Sequence, residues 1–133
     1  MLYAVLCYND EKVVSTWTKE EDAACMARLG KVQDELRHQG RLGPVVRLQD
    51  TTEAKTLRKA NGEHVVFDGP FAETKEQFLG FYVADVDTID EALEFAKKLA
   101  IANPGLGSYE IRPLRLYNPS ALPGDMAIGE PAE

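Results

Sequence analysis

The chain has 133 residues, 44% of them hydrophobic, with 22 acidic and 15 basic side chains that give a net charge of −7. This length and composition predict one globular domain with a modest core. The acidic balance argues against a protein that grips nucleic-acid phosphates, which requires a clustered basic face. No apolar run reaches the ~20 residues of a membrane-spanning helix. We therefore expect neither a nucleic acid nor a membrane as a partner.

The N-terminal run 2–8 is apolar on both alternating faces, which is typical of a central β-strand. It is too short for a signal peptide and lacks a basic flank and a cleavage site, so we expect a cytoplasmic protein. Cys7 and Cys25 have neither the number nor the spacing of a disulfide framework or a zinc site. We expect no metal and, since phosphate loops and nucleotide fingerprints are lacking, no cofactor.

Two capping boxes predict the two long helices. Thr18 with Glu21 opens a helix that runs to about residue 39 and stops at Gly40. Thr88 with Glu91 opens the second helix, which ends before residue 103. The predicted apolar stripe of this second helix consists of Ile89, Ala92, Leu93, Ala96, Leu99 and Ala100.

Further strands are predicted over residues 41–49, 55–59, 64–67, 80–86 and 108–117, with a bulge at Pro113 in the last one. Asn61-Gly62 is a strong hairpin signal between the two short strands. Without that hairpin the order is β-α-β-β-α-β, an α+β ferredoxin-like antiparallel sheet with two helices on one face. We predict a single domain over residues 1–117, followed by a C-terminal tail over 118–133.

The run from Asp68 to Tyr82 carries the most distinctive local pattern. Gly69 permits a positive φ, and Pro70 fixes its own φ and suits the first position of a short helix. The charged stretch 73–76 follows on what should be a rigid loop between two strands, the kind of place that carries function.

The sequence DGPFAETKEQ in this run resembles the signature of the DGPF group of YCII-related proteins, and the similarity extends from Met1 to about Tyr117. The resemblance implies a dimeric α+β barrel. Members of this group are often encoded beside, or fused to, alternative sigma factors, which implies such a partner. Proteins of this group usually have a second glycine before the Gly-Phe-Tyr sequence. In this chain Phe78 and Leu79 precede Gly80 instead, which adds bulk beside the motif and predicts a narrower pocket there.

A homodimer is also expected from the pattern of the strands. The sheet has helices on one face only, and its outward positions include Val5, Val66, Phe81 and Val83, depending on register. Such positions are too apolar to face water as a patch. Two sheets stacked face to face would bury them.

Asp68 is the first candidate catalytic residue. As a carboxylate at a strand end facing a cleft it would act as a general base, with Glu73 and Lys75 in support. The alternative for Asp68 is an Asx turn, in which its side chain accepts the N–H two residues on. The alternative for Glu73 and Lys75 is a solvated loop whose charges cap the short helix.

Five further residues are candidates for substrate binding. Arg47 lies in a strand, where an arginine needs either a structural carboxylate or a substrate anion. His64 lies ~13 Å along its strand from Asp68, too far for direct contact within one chain. Phe71, Phe81 and Tyr82 would wall a pocket, or they are packed in the core.

Two functions fit these patterns. The first is a small-molecule-binding, cofactor-independent acid/base enzyme with Asp68 at its site. The second is a non-catalytic dimeric regulatory module that works with an alternative sigma factor. The architecture hosts both kinds of protein and does not choose between them.

Overall fold

A computed structural model describes residues 1–123 of the chain. The predicted tail over 118–133 therefore lies outside the described residues from position 124 onward. The elements are, in chain order, β1 (Leu2–Asn9), α1 (Glu11–Val14), α2 (Lys19–Arg37), β2 (Leu42–Arg47), a 3-10 turn (Thr51–Glu53), β3 (Lys55–Ala60), β4 (Glu63–Asp68), β5 (Gln77–Asp85), α3 (Ile89–Ala102) and β6 (Ser108–Pro113).

Four strands form one antiparallel sheet in the order β2-β5-β1-β6. β1 therefore lies between β5 and β6, and both neighbours run against it. Strands β3 and β4 pair only with each other as a separate hairpin. This is the ferredoxin-like order with an inserted hairpin, and the predicted fold class is confirmed.

The core lies between the sheet and the two long helices. Tyr3 and Val5 of β1 and Ala84 of β5 are at most 5% exposed and pack with Leu99 of α3. Val5 is 0% exposed on this side, so its predicted outward position was wrong. Successive strand residues point to opposite faces, and the core face of β1 is the odd-numbered one.

The other face of the sheet carries a second apolar group. Phe81 of β5 lies opposite Leu6 of β1 and Val46 of β2. Phe78 stacks on Phe81 with ring centroids 6.4 Å apart and contacts Tyr8 at 5.6 Å. Since these residues alternate with the core residues, they lie away from the helices.

The close approach of β2 to β5 depends on Gly80. A Cβ atom at this position would lie 2.2 Å from the carbonyl oxygen of Val46. β5 also holds one residue more than β1 between Gly80 and Phe78, a bulge that leaves Leu79 without a partner on β1. Phe78 thus points to the open face, whereas Leu79 lines the helix side.

Both predicted N-caps form. Thr18 accepts from the Glu21 N–H at 3.0 Å, and Glu21 accepts from the Thr18 N–H at 3.2 Å, which completes a capping box. Thr88 accepts from the Glu91 N–H at 3.2 Å. The Glu91 carboxylate accepts from Asp87 N at 3.5 Å, so the second box is only half formed.

The predicted stripe of α3 was partly wrong. Ala92, Ala96 and Leu99 are buried as expected, and Phe95 and Ala102 join them. Ile89 and Leu93 are 44% and 41% exposed and Ala100 is exposed as well, because the buried face of the helix is centred nearer to Phe95.

Three further local expectations were wrong. The segment after Pro70 contains no helix, since residues 69–76 form bends before β5 begins. The last strand ends at Pro113 without a bulge, so the change of apolar phase after this proline marks the end of pairing. Helix α1 was not predicted; Asp10 caps it by accepting from the Lys12 N–H.

The hairpin has the predicted turn. Asn61 and Gly62 both have positive φ, 47° and 80°, which matches a type I′ turn. Leu57 and Val66 lie opposite each other and are 57% and 62% exposed. Val66 therefore belongs to the hairpin and takes no part in the outer face of the main sheet.

Candidate functional site

Asp68 lies at the end of β4 on the hairpin. Its carboxylate accepts a hydrogen bond from Lys55 Nζ at 2.6 Å, and both side chains are more than 70% exposed. The alternative of an Asx turn at Asp68 does not apply, because the residue two positions on is Pro70, which has no N–H. The turn is instead held by its backbone: Gly69 N donates to Ala54 O, and Thr56 Oγ1 donates to Gly69 O, both at 2.8 Å.

Glu73 and Lys75 border a polar surface groove between α1 and the loop before β5. Glu11, on the far side of this groove, accepts from Thr51 N at 2.9 Å and from Thr51 Oγ1 at 2.6 Å. Asp68 does not line this groove. The structure thus brings Glu73 and Lys75 together but leaves Asp68 apart from them.

Two of the predicted ligand-binding residues lie on or beside the hairpin. His64 pairs with Lys59 across the hairpin and is exposed. Phe71 is 74% exposed, and the guanidinium of Arg58 lies 5.5 Å from its ring and 6.0 Å from that of Phe67. Phe81 lies on the open face of the main sheet. None of these three predicted residues lines the cleft described next.

Arg47 and Tyr82 are brought together in a cleft between the sheet and helix α2, which encloses a cavity of about 130 Å³. The sheet supplies Cys7, Gly80, Tyr82 and Tyr109. Helix α2 supplies Met26, Leu29 and Gln33 from its inner face. Trp17, which precedes the helix cap, Asn103, which follows α3, and Arg47 also line the cleft. The other lining residues are Tyr8, Asn9, Val14, Val45, Val46 and Leu79.

Arg47 is held by Asp22 on the first turn of α2. Its Nη2 donates to Oδ1 at 2.8 Å and its Nη1 to Oδ2 at 3.2 Å, a two-point contact. These hydrogen bonds raise the pKa of Arg47 further above its ordinary value. The carboxylate partner expected for a strand arginine is therefore Asp22, and the guanidinium stays charged.

Two phenols face the cleft, that of the buried Tyr82 and that of the partly buried Tyr109. Tyr82 Oη accepts from Gln33 Nε2 at 3.4 Å, and Tyr109 Oη accepts from Asn103 Nδ2 at 3.2 Å. Burial raises the pKa of Tyr82 to about 12 and also raises that of Tyr109. Both phenols are therefore protonated at neutral pH and act as hydrogen-bonding groups rather than as bases.

The thiols beside the cleft are protonated as well. Burial raises the pKa of Cys7 to about 12. Cys25 is 1% exposed, its pKa is also raised, chiefly by burial, and its thiol donates to Asn103 Oδ1 at 3.4 Å. Neither thiol has the depressed pKa of a nucleophilic cysteine.

The lining of the cleft is mostly apolar, and its few polar side chains are neutral apart from that of Arg47. Among the described residues that line it, none is an aspartate, glutamate, histidine or lysine. Within residues 1–123, no three His, Cys, Asp or Glu side chains are arranged to hold a metal ion. None of the helices within the same residues has the length and apolar character needed to cross a membrane.

Sequence reasoning missed Gln33, Asn103 and Tyr109. Asn103 was interpreted only as part of a helix stop, and Gln33 lies among polar residues of α2 with no distinguishing pattern. Tyr109 is on the core parity of β6, which was the one available signal. Their convergence depends on tertiary contacts between α2, α3 and β6.

Comparison with known proteins shows the family of the chain. The model of the YCII-related domain matches residues 1–116, nearly all of the described chain. The chain belongs to the YCII-related family. This confirms the family suggested by the motif run.

Within the YCII-related family, the chain is similar to an uncharacterized protein of Rhizobium meliloti (strain 1021). The two are 61% identical over 123 residues, which is 92% of this chain and 99% of the relative. The similarity therefore spans the sheet, both long helices and the hairpin.

Proposed function

We propose that this YCII-related protein binds a small, largely apolar molecule in the cleft between α2 and the sheet. The observation that carries the proposal is the cleft itself: an apolar cavity of about 130 Å³ into which a few polar groups converge. Ligand sites in proteins have this composition, with polar groups that fix orientation in an apolar lining.

The proposed role is binding rather than acid/base catalysis at Asp68. General acid/base catalysis needs a group that exchanges a proton and lies within hydrogen-bond reach of the substrate. The phenols and thiols of the cleft hold their protons at neutral pH, and Asp68 is paired with Lys55 on the hairpin. The acid/base alternative, with Asp68, Glu73 and Lys75, therefore requires a ligand on the exposed surface around the hairpin and the loop that follows it.

A ligand screen by thermal shift distinguishes these two sites. Met26→Trp places a large ring in the cleft, since Met26 lines it and is 37% exposed. Ala27→Trp is the matched control, because the next residue of the same helix is exposed and does not line the cleft. Compounds that stabilise the wild type should also stabilise Ala27→Trp and Asp68→Ala but not Met26→Trp. Loss of the thermal stabilisation in Asp68→Ala alone would refute the cleft as the ligand site and support acid/base chemistry at the hairpin.

We further propose a homodimer that stacks the open faces of two sheets. The support is the apolar group formed by Leu6, Val46, Phe78 and Phe81 on the side of the sheet without helices. Phe78 is 36% exposed despite its size. Burial of such a face is favourable in proportion to the apolar area removed from water.

The second candidate function is a non-catalytic regulatory module that binds an alternative sigma factor in the cytoplasm. The net charge of −7 supports it, since an acidic surface is complementary to a basic face of a partner. A pull-down with a co-expressed sigma factor tests it. A salt-sensitive complex that survives Met26→Trp would favour this function, and failure to form any complex would remove it.

A further inference from the structure

The two phenols of the cleft each have a hydrogen-bond donor without a protein acceptor. The oxygen of Tyr82 accepts from the amide of Gln33, and the oxygen of Tyr109 accepts from the amide of Asn103. An amide nitrogen can only donate, so both phenols act as acceptors in these contacts. Within residues 1–123, neither phenol donates its own hydrogen to a protein atom.

The strand arrangement brings both phenols to one cavity. Tyr82 in β5 lies opposite Val5, and Tyr109 in β6 lies opposite Cys7, so the two tyrosines lie on either side of β1. Both side chains lie on the helix side of the sheet and line the same cleft. Tyr82 is further fixed by an edge-on contact with Phe95, with ring centroids 5.7 Å apart.

We propose that Tyr82 and Tyr109 form a two-donor site for a negatively charged oxygen, so that the cleft takes a largely apolar organic acid in its anionic form. This inference rests on the proposed function and names the chemical class of its ligand: a phenolate, an enolate or a carboxylate on an apolar body. Hydrogen bonds to an ionised oxygen are shorter and stronger than those between neutral groups, so two such donors favour the anion over its neutral acid.

The surroundings of the two phenols support this preference. The titratable groups nearest to them are the thiols of Cys7 and Cys25, which burial keeps neutral. Arg47 is the single charged residue among the described lining residues, and its guanidinium is already paired with Asp22 at 2.8 and 3.2 Å. An anion in the cleft therefore meets the two phenol donors, with no carboxylate among those lining residues to repel it.

The test uses 4-nitrophenol, whose phenolate is read directly by its visible absorption, together with nitrobenzene as a neutral analogue that lacks the phenolate oxygen. Both probes are titrated into wild-type protein, Tyr82→Phe, Tyr109→Phe and Tyr3→Phe. Tyr3 is the matched control, because it is a buried tyrosine of the same core whose hydroxyl donates to Met1 Sδ and does not line the cleft.

The wild type should bind the phenolate in preference to the phenol, and the bound probe should ionise at lower pH than the free one. Removal of either cleft hydroxyl should weaken phenolate binding about tenfold or more, the value of a hydrogen bond to a charged group. Tyr3→Phe should bind the phenolate like the wild type. Nitrobenzene affinity should be the same in all four proteins, which also shows that the variants retain the folded cleft.

The contrary outcomes separate the two proposals. The two-donor site is refuted if the wild type binds nitrobenzene but does not prefer the phenolate to the phenol. It is also refuted if Tyr82→Phe and Tyr109→Phe bind the phenolate as tightly as the wild type does. In both cases the cleft remains a ligand site. A parallel titration of Met26→Trp, in which the cleft is blocked, completes the test. If neither probe binds the wild type, or if both probes bind Met26→Trp as tightly as the wild type, the two-donor site and the proposed function are both refuted.

Discussion

At the scale of single residues, Asp68 and Tyr82 lie in different parts of the molecule, Asp68 on the exposed hairpin and Tyr82 in the cleft. Asp68, Gly69 and Pro70 predicted a turn correctly, because the conformational limits of glycine and proline are local. Whether Asp68 faces a cleft depends on where the hairpin lies, which no local pattern encodes. Its partner proved to be Lys55 on the facing strand.

Arg47 and Tyr82 are the two predicted ligand-binding residues that line the cleft. Both lie on the main sheet, whose alternation predicts which face a residue takes once a register is known. Gln33 and Asn103 come from helix α2 and the end of α3, so their approach to the phenols follows from helix packing. Sequence reasoning therefore found the sheet side of the cleft in part and missed its helix side.

Cys7 gives a prediction for stability at alkaline pH. Its pKa is raised from the ordinary value of 9.0 to about 12 by burial. Below pH 9 the folded and unfolded chains both carry the thiol proton. Above it the unfolded chain loses this proton first, so the stability contributed by Cys7 is lost as pH rises toward 12. The expected loss is up to about 1.4 kcal/mol per pH unit.

Urea unfolding between pH 8 and 11 measures this effect. The free energy of unfolding should fall less steeply with pH in Cys7→Ala than in the wild type. Val32→Ala, which trims a partly buried side chain without a titratable group, should lower the stability but keep the wild-type slope. Equal slopes in Cys7→Ala and the wild type would contradict the raised pKa.

At the scale of elements, prediction succeeded where the signal is local and failed where packing decides. The capping box at Thr18 and the turn at Asn61-Gly62 were both found, since each is a short-range hydrogen-bond or backbone pattern. The helix expected after Pro70 did not form, although proline suits the first turn. No cap and no apolar stripe supports a helix over residues 69–76, and tertiary packing supplies most helical stability.

The N-cap of α2 gives a prediction at this scale. Thr18→Ala removes the acceptor for the Glu21 N–H and should lower the free energy of unfolding by about 1 kcal/mol. Lys31→Ala, at an exposed position within the same helix, should change it by less than about 0.5 kcal/mol. Urea unfolding of both variants measures the difference, and equal midpoints would contradict a stabilising cap.

The same variant connects the helix with the cleft. Met26, Leu29 and Gln33 all reach the cleft from α2, and Asp22 of its first turn holds Arg47. Fraying of the first turn in Thr18→Ala therefore affects the Asp22–Arg47 contact before it affects Gln33. Element stability and site geometry are linked through this one helix.

At the scale of the whole molecule, the sheet has an apolar layer on each face, and helices cover only one of the two layers. One is closed by α2 and α3, with Val5 and Leu99 fully buried. The other is formed by Leu6, Val46, Phe78 and Phe81 and has no helix over it. The alternation of apolar residues in the strands predicted an apolar layer on each face of the sheet. The assignment of Val5 to the outer layer was wrong because the register was unknown.

The proposed homodimer gives the prediction for this scale. The wild type should sediment at twice the 14.7 kDa of the chain, and Phe81→Glu should sediment as a monomer. Phe81 lies between Leu6 and Val46 at the centre of the open face, so a carboxylate there would be buried without a partner in the dimer. Leu93→Glu, on the exposed side of α3, should remain dimeric. A wild type that sediments as a monomer at every concentration would refute the stacked dimer, whereas the α2 cleft, built within one chain, does not depend on it.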